Sequence, residues 1–388
     1  MVISHAIVFD VRSIWVTEFA RALATKIPTI GLSPTIDAVG LLHRAACPVD
    51  GDDALKVFAC RLQRGWWRGA LLSERRKLVE FVHSQAKMAP TTCVIFTSPH
   101  YASVAEAFRE CTTAYYVTDN FRACFPEEPA IAALETKLAA LVTHVFPNSE
   151  RIRRFFVDEA KVGDDRVTVI PNGVRSENIL PSPLYAPTDP PAEMPTMPRP
   201  WALVMGNLAA NTDWPLLEAV IGETPWLSWV FVGPTEMHCA SEEHERIRQQ
   251  MMRAEGKVRF LGWQPPGALN GFARACDVAV LPYMKREPTY SGSSTRSYEH
   301  FAACRPILAT DGFAELLDRQ PLVTICCSPE EMISALETLK QSGFLDGHEA
   351  ERWRLAKEST WQLRAGRMLE VLNRSQDRQP VPRRGSQK

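Results

Sequence analysis

The sequence predicts an α/β protein built from two doubly wound domains that face each other across a cleft. Its 388 residues are about twice the usual length of one domain. Short apolar runs alternate with helical patterns in both halves of the chain, and this alternation indicates parallel sheets covered by helices. A segment with eight prolines at 181–200 separates the halves, and its composition is typical of an extended linker.

The first predicted domain, residues 1–180, contains six apolar runs of strand length. Amphipathic stretches at 13–26 and 127–141 are predicted to form helices between them. The predicted strands are AIVF near Ala6, PTIGL near Thr29, CVIF at 93–96, AYYV at 114–117, VTHVF at 142–146 and VTVI at 167–170.

The second predicted domain, residues 201–348, repeats the alternation. A helix at 349–373 is expected to pack back across the domains, and the basic tail at 374–388 is expected to be disordered. The predicted strands are WALVM at 201–205, WVFV at 229–232, VRFL at 258–261, VAVL at 278–281, PILA at 306–309 and VTIC at 323–326.

Composition argues against several classes of protein. A net charge of -1 gives no overall attraction to nucleic acid or anionic lipid. The ten cysteines form no C-x-x-C pair and no Cys/His cluster with zinc spacing, so we expect free thiols in a reducing compartment and no metal site. The N-terminal sequence MVISHAIVFDVRS resembles a first strand more than a signal peptide, and no apolar run approaches a membrane span. A cytoplasmic location is therefore predicted.

The segment SGSSTRSYEHFAACRPILAT at 291–310 carries the clearest chemical signal. If Ser293 or Ser294 caps a helix, the first amides form an anion site, and Gly292 permits close approach of a ligand. Arg296 and Glu299, three residues apart, then share one helix face. A diphosphate at the cap and a ribose one turn deeper would meet them in that order. The alternative is an ordinary capped helix with an exposed Arg-Glu pair, but the cap follows a buried strand and so faces the predicted cleft.

Five segments in order resemble the nucleotide-sugar glycosyltransferases of the GT-B fold, which has two Rossmann-like domains, and especially the large family 4 and its relatives. The resemblance covers nearly all of the first 345 residues. The segments are VFPNSERIRRFF, VTVIPNGV, VRFLGWQPPGAL, ARACDVAVLPY and SSTRSYEHFAACRPILAT.

The resemblance implies a site for a nucleoside diphosphate-sugar donor, with UDP favoured and no further cofactor. Glu299 would bind the ribose, and Arg296 with the amides from Gly292 to Thr295 would hold the diphosphate. The loop after Gly262 would pack on the base. The donor-binding candidates are therefore Gly292, Ser293, Ser294, Thr295, Arg296, Glu299, Gly206, Asn207, Gly262 and Trp263.

Two departures from the family pattern affect this site. Many family 4 members carry Glu-x7-Glu, whereas the position eight residues before Glu299 is Ser291. The loop MGNLAANTDWP lacks the arginine and lysine that clamp the diphosphate in the family, so Arg296 is expected to be the main cationic phosphate ligand. The sequence is similar to a divergent branch that includes the glucuronosyltransferase of xanthan assembly.

The first domain is expected to hold the acceptor. Asp119 follows a predicted strand directly and could start a turn or serve as a base, and the resemblance to the xanthan-type enzyme favours the base. His100 could be a hydrogen-bonded loop histidine or a second base. The acceptor-side candidates at strand ends are Asp10, Arg12, His100 and Asn172.

Residues 61–77 combine six basic residues with the adjacent Trp66 and Trp67. Two interpretations are open. The segment could contact anionic headgroups on the inner face of the cell membrane, or it could be a core-packed loop and helix with solvated arginines.

The predicted function is a glycosyltransferase, hexosyltransferase-like, that moves a sugar to a saccharide or lipid-linked acceptor in cell-surface polysaccharide or glycoconjugate synthesis. Transfer is predicted to invert the anomeric carbon, with Asp119 as base. The alternatives are a non-catalytic GT-B-like partner in polysaccharide assembly and a nucleotide-sugar epimerase or hydrolase.

Overall fold

The computed structural model describes residues 2–37, 55–68, 71–128, 130–194, 196–254 and 256–378. It divides the chain into two compact units, one formed by Met1–Pro171 with Trp361–Lys388 and the other by Asn172–Thr360. Each unit contains one six-stranded sheet whose strand pairs are all parallel. The predicted α/β class and the two doubly wound sheets are confirmed.

The sheet of the first unit has the strand order β3-β2-β1-β4-β5-β6. The order reverses between β1 and β4, which are neighbours in the sheet but not in the chain. The strands are β1 His5–Val8, β2 Thr29–Asp37, β3 Leu55–Gln63, β4 Thr92–Phe96, β5 Thr112–Val117 and β6 His144–Pro147. The helices are α1 Ile14–Ala24, α2 Leu72–Gln85, α3 Phe121–Cys124, α4 Ala130–Leu141 and α5 Glu150–Arg154.

The sheet of the second unit has the order β12-β11-β10-β7-β8-β9 and reverses between β7 and β10. Its strands are β7 Trp201–Met205, β8 Ser228–Val232, β9 Val258–Phe260, β10 Val278–Leu281, β11 Ile307–Ala309 and β12 Thr324–Ile325. Its helices are α6 Trp214–Glu223, α7 Glu242–Arg253, α8 Leu269–Ala275, α9 Thr295–Ala303, α10 Ala314–Leu317, α11 Pro329–Gln341 and α12 Glu349–Lys357.

Short helical turns complete the two units. The 3-10 helices are Pro99–Ser103, Ala105–Phe108, Asp164–Arg166, Ser176–Asn178, Pro266–Ala268 and Thr289–Ser291, and a π-helix at Phe155–Glu159 continues α5.

Two strand predictions for the first unit were wrong. The edge strand β3 was missed, because polar and exposed residues interrupt its apolar run, as is common in an edge strand. The predicted strand at 167–170 makes only an isolated bridge from Val167 to Val145, since Pro171 follows directly and limits the ladder.

The predicted linker at 181–200 lies within the second unit, and the chain divides between Pro171 and Asn172. Met194 and Met197 are buried in a core cluster with Trp201. Arg305 also donates to the carbonyl oxygen of Leu184 at 2.6 Å. Apolar side chains spaced between the prolines thus attach the segment to this unit.

The predicted helix at 349–373 is two helices. The first, α12, belongs to the second unit. The helical conformation is interrupted before Thr360, which forms a β-bridge with Val174. The last helix, α13 Trp361–Arg378, belongs to the first unit, where Met368 packs in one core cluster with Phe19 of α1. Residues 379–388 of the predicted tail lie outside the described residues.

Three further expectations concern membranes, metals and thiols. Within the described residues no helix is long and apolar enough to cross a membrane. The same part of the chain contains no group of His, Cys, Asp or Glu side chains suited to a metal ion. The nine cysteines that the structure describes are all free, and six of them are buried.

Candidate functional site

The loops after β7 and β10 meet at the point where the strand order of the second unit reverses. Doubly wound sheets bind ligands beyond the carboxyl ends of their strands at this switch point. Three backbone contacts join the two loops. The Asp213 amide donates to the Pro282 carbonyl at 2.8 Å, and the Met284 amide donates to the Asn211 carbonyl at 2.9 Å. Thr212 also bridges to Tyr283.

Helix α9 begins beside these loops with a side-chain cap. Ser294 is the cap residue, and its hydroxyl oxygen accepts from the Ser297 amide at 3.4 Å. The Ser294 amide donates to Glu315 at 2.9 Å, and the Tyr298 hydroxyl donates to the same carboxylate. The predicted capped helix is therefore present, and Glu315 fixes its first turn.

Fewer backbone amides are available at the start of α9 than the sequence predicts. The amide of Gly292 donates to the carbonyl of Thr289 at 3.1 Å, and the amide of Ser294 is engaged by Glu315. These two of the four predicted amides are therefore not available to a ligand. The amides of Ser293 and Thr295 have no protein partner in the described part of the chain, so they remain the candidates.

Arg296 lies at the start of α9 against the backbone of β7. A β carbon at Gly206 would lie 1.8 Å from its Nε, so the guanidinium occupies the space that glycine leaves. Its Nη1 donates to the Tyr283 hydroxyl at 3.1 Å. Among the described residues no carboxylate lies within ion-pair distance of Arg296. Burial, together with the charge of Arg296, lowers the pKa of His300 to about 3, so this neighbour is neutral at physiological pH.

Three glycines with positive φ bring the ends of β7, β8 and β9 together. Gly206 has φ +141°, and Gly233 has φ +148° with a β-carbon position 1.6 Å from the Gly206 carbonyl oxygen. The Gly233 amide donates to the Gly262 carbonyl at 2.8 Å. Beyond Gly262, Trp263 has 57% of its surface exposed. An exposed indole at this edge of the sheet is available to stack on a planar ligand.

Asn207 follows Gly206 on the same edge. Its side-chain amide nitrogen, Nδ2, lies 3.2 Å from the sulfur of Met237, and Met237 has 57% of its surface exposed. The structure thus places the predicted residues Gly206, Asn207, Gly262 and Trp263 at the edge of the sheet against which the Arg296 side chain of α9 lies.

Replacing Gly206 by alanine should weaken binding of a nucleoside diphosphate severalfold. The added methyl group would displace Arg296, and alanine tolerates φ +141° poorly. Gly222→Ala is the matched control, because a β carbon there meets no atom within 4 Å. Titration calorimetry of the two folded variants provides the measurement. Equal affinities would show that the contact between Gly206 and Arg296 does not matter for the ligand.

Glu299 lies one turn deeper on α9 and is oriented by two amides. Its Oε2 accepts from Asn178 at 2.9 Å and from Asn270 at 3.1 Å. Both asparagines are buried, at 7% and 2% exposure. Neither was predicted, because each reaches Glu299 from a distant part of the sequence.

Asn172 is not on the acceptor side, where we predicted it. It belongs to the second unit, and its side-chain amide donates to the Ser293 carbonyl at 2.8 Å and to the Thr295 hydroxyl at 2.9 Å. It therefore supports the start of α9. The segment that carries Asn172 and Asn178 runs beside this helix.

A carboxylate also lies next to Ser291, the position where the family pattern has a glutamate. Glu287 accepts from the Ser291 hydroxyl at 2.5 Å and from its amide at 3.3 Å. Glu287 is exposed, whereas Ser291 is buried.

The first unit has its own polar cluster at the reversal between β1 and β4. Asp10 follows β1 with φ +54°, a strained conformation for a residue other than glycine. Its carboxylate accepts from the Tyr101 hydroxyl at 2.8 Å, from the Thr97 hydroxyl at 3.0 Å and from Arg12 at 3.3 Å. Donors from two loops thus hold the Asp10 carboxylate in one orientation.

Asp119 follows β5, the strand beside β4. The carboxylate is half-buried and accepts from the Asn120 amide at 2.9 Å. From the next strand, Asn148 donates to the Thr118 carbonyl at 2.6 Å. The structure thus places Asp119 at the carboxyl edge of the sheet, on a loop that Asn148 contacts from the end of β6.

His100 follows β4 and lies between aromatic rings. Its Nδ1 is 2.8 Å from the Ser98 hydroxyl oxygen. The imidazole centroid lies 4.2 Å from Trp67 and 5.8 Å from Phe125. Burial is the main reason that the pKa of His100 is lowered, so the ring is neutral at physiological pH and could act as a base.

Of the two interpretations of residues 61–77, core packing is the one that the structure shows for Trp66. Trp66 is 4% exposed and packs 5.4 Å from the ring of Tyr101. The segment after β3 folds back over the loop after β4. Trp66 therefore packs on Tyr101, and Trp67 packs on His100.

Comparison with known proteins finds one family model that matches part of the chain and several solved structures with a similar fold. Residues 202–342 match the family model described as glycosyl transferases group 1. No curated protein sequence matches the chain. Among solved structures, sucrose-phosphate synthase from Thermosynechococcus elongatus has 16% identity and a TM-score of 0.69, covering 97% of this chain and 100% of that one.

Two further structures illustrate the likeness. HepE from Anabaena, in complex with UDP and glucose, has 15% identity and a TM-score of 0.68 over 96% of this chain and 99% of that chain. A UDP-forming α,α-trehalose-phosphate synthase from Burkholderia xenovorans has 12% identity and a TM-score of 0.65 over 97% of this chain and 100% of that one. The second unit therefore carries a match to the glycosyl transferases group 1 family, and the chain as a whole has the GT-B fold with two Rossmann-like domains.

Proposed function

We propose that this protein is a glycosyltransferase that moves a sugar from a nucleoside diphosphate-sugar donor to a hydroxyl acceptor. One observation carries the proposal. Arg296 lies uncompensated at the switch point of the second unit, and Glu299 follows it one turn later on the same helix. This arrangement suits an anionic diphosphate joined to a ribose.

The second unit binds the donor. Arg296 and the amides of Ser293 and Thr295 contact the diphosphate, and Glu299 accepts from the ribose hydroxyls. Trp263 stacks on the base. UDP is the favoured nucleotide because HepE, which has a similar fold, was crystallised with it. The donor is a substrate, and the proposed reaction requires no other cofactor.

The first unit binds the acceptor through the carboxyl edge of its own sheet. Asp119 takes the proton of the acceptor hydroxyl, and Asp10 with Arg12 contributes hydrogen bonds to the acceptor. Trp67 and Phe125 offer aromatic faces beside His100. Ring faces next to carboxylates suit a saccharide, whose C–H face is apolar and whose hydroxyls are polar. The pathway in this proposal is the synthesis of a cell-surface polysaccharide or glycoconjugate.

A thermal-shift panel of UDP, ADP, GDP and TDP tests the proposed function. A ligand at 100 times its dissociation constant stabilises the folded state by about 2.7 kcal/mol. We expect one of the four to raise the melting temperature by several degrees, and UDP most of all. If none of the four raises the melting temperature of the folded protein, the proposal of an enzyme is wrong. The non-catalytic partner in polysaccharide assembly is then the preferred function.

A further inference from the structure

We propose that Arg286, on the loop after β10, is a second cation of the diphosphate site. The inference rests on the proposed function and extends it. The loop after β7 contains no arginine or lysine between Gly206 and Asp213. Arg286 supplies a positive charge to that loop from the neighbouring one.

The contact geometry holds Arg286 against the loop after β7. Its Nε and Nη2 both donate to the side-chain oxygen of Asn211, at 3.2 Å and 3.1 Å. The Asn211 carbonyl accepts in turn from the Met284 amide at 2.9 Å. The two bonds to one oxygen orient the guanidinium, and the backbone bond from Met284 to Asn211 holds the two loops together.

The charge of Arg286 is not neutralised by this contact. Asn211 is an amide, and no carboxylate of the described chain lies within ion-pair distance of Arg286. The adjacent Lys285, in contrast, pairs with Asp311 at 2.7 Å. A guanidinium has five N–H donors, so two bonds to Asn211 leave three for another acceptor.

Arg286 and Arg296 attach to the two ends of one loop. Arg296 lies against Gly206 where the loop begins, and Arg286 is bonded to Asn211 near its end. Both therefore border the switch point between β7 and β10, and both have neutral partners. The two guanidinium groups, one at each end of a short loop, match the two adjacent phosphates of a nucleoside diphosphate.

Calorimetry of UDP and uridine with wild type, Arg286→Ala and Arg286→Lys tests the inference. We expect Arg286→Ala to lower UDP affinity about tenfold or more and to change uridine affinity less than about twofold. Arg286→Lys should fall between, since lysine keeps the charge but not the fork. The matched control is Arg246→Ala, because Arg246 is an exposed arginine of α7 bonded to Gln250.

Asn211→Ala separates ligand binding from a purely structural role. If Arg286 only ties the loops together, Asn211→Ala and Arg286→Ala will lower the melting temperature equally and change UDP and uridine affinity in the same proportion. That outcome, or a UDP affinity in Arg286→Ala equal to that in Arg246→Ala, would overturn the inference alone. A folded wild type that binds none of UDP, ADP, GDP and TDP would instead overturn the proposed function and this inference with it.

Discussion

Replacing Asp119 by asparagine should lower turnover by about 10² to 10⁴ and leave donor affinity unchanged. In an inverting transfer a base must take the proton of the acceptor hydroxyl as the new bond forms. Asparagine keeps the size of the side chain and its contact with the Asn120 amide, but it cannot accept that proton. Because the proposed donor site belongs to the second unit, donor binding should not respond.

Steady-state kinetics measure the turnover, and calorimetry with the donor product UDP measures the affinity of the donor site. Asp10→Asn is the matched comparison, because Asp10 is also a carboxylate at the sheet edge and is held by Tyr101, Thr97 and Arg12. Full turnover in Asp119→Asn with lost turnover in Asp10→Asn would reassign the base to Asp10. NMR of the product gives its anomeric configuration. A retained configuration at the anomeric carbon would exclude the proposed role of Asp119.

Replacing Glu299 by alanine should lower nucleoside diphosphate affinity at least tenfold. The variant loses charge-assisted hydrogen bonds to the ribose, each worth about 1.5 to 3 kcal/mol. Arg296→Ala should act differently, since its charge faces the diphosphate. It should weaken UDP much more than uridine. Calorimetry with both ligands distinguishes the two effects.

Stability must be measured beside affinity in Glu299→Ala, because the substitution leaves the buried amides of Asn178 and Asn270 without this acceptor. An unsatisfied buried polar group costs about 1 to 3 kcal/mol. Glu299→Gln keeps the volume and an acceptor oxygen, and it tests the carboxylate with less structural cost. Glu243→Ala, on the exposed face of α7, is the control for losing a glutamate. Unchanged UDP affinity in Glu299→Ala and Arg296→Ala alike would remove the donor site from this helix.

Local pattern was sufficient wherever a feature depends on residues close in sequence. Eleven strands of the two sheets coincide with short apolar runs, because a buried parallel strand needs apolar side chains on both faces. Ser294 as cap and the shared face of Arg296 and Glu299 follow from helical periodicity over six residues. These features were predicted from the sequence.

Other features depend on contacts between distant residues, and local pattern cannot contain them. Glu315 accepts from the Ser294 amide across 21 residues of sequence, and Asn172 supports the start of α9 by donating to Ser293 across 121 residues. Arg286 reaches Asn211 across 75 residues. Trp66, in a segment rich in arginine, is buried only because the chain folds back onto Tyr101.

Local sequence patterns were enough to predict the two parallel sheets, the capped helix and the residue types that suit a diphosphate and a ribose. The three-dimensional contacts were needed to learn which of those groups are already engaged within the protein, which unit Asn172 belongs to, and where a further arginine meets the loop after β7. The reason is physical. Periodicity fixes the direction of a side chain within its own helix or strand, whereas its partners are set by the packing of elements that are far apart along the chain.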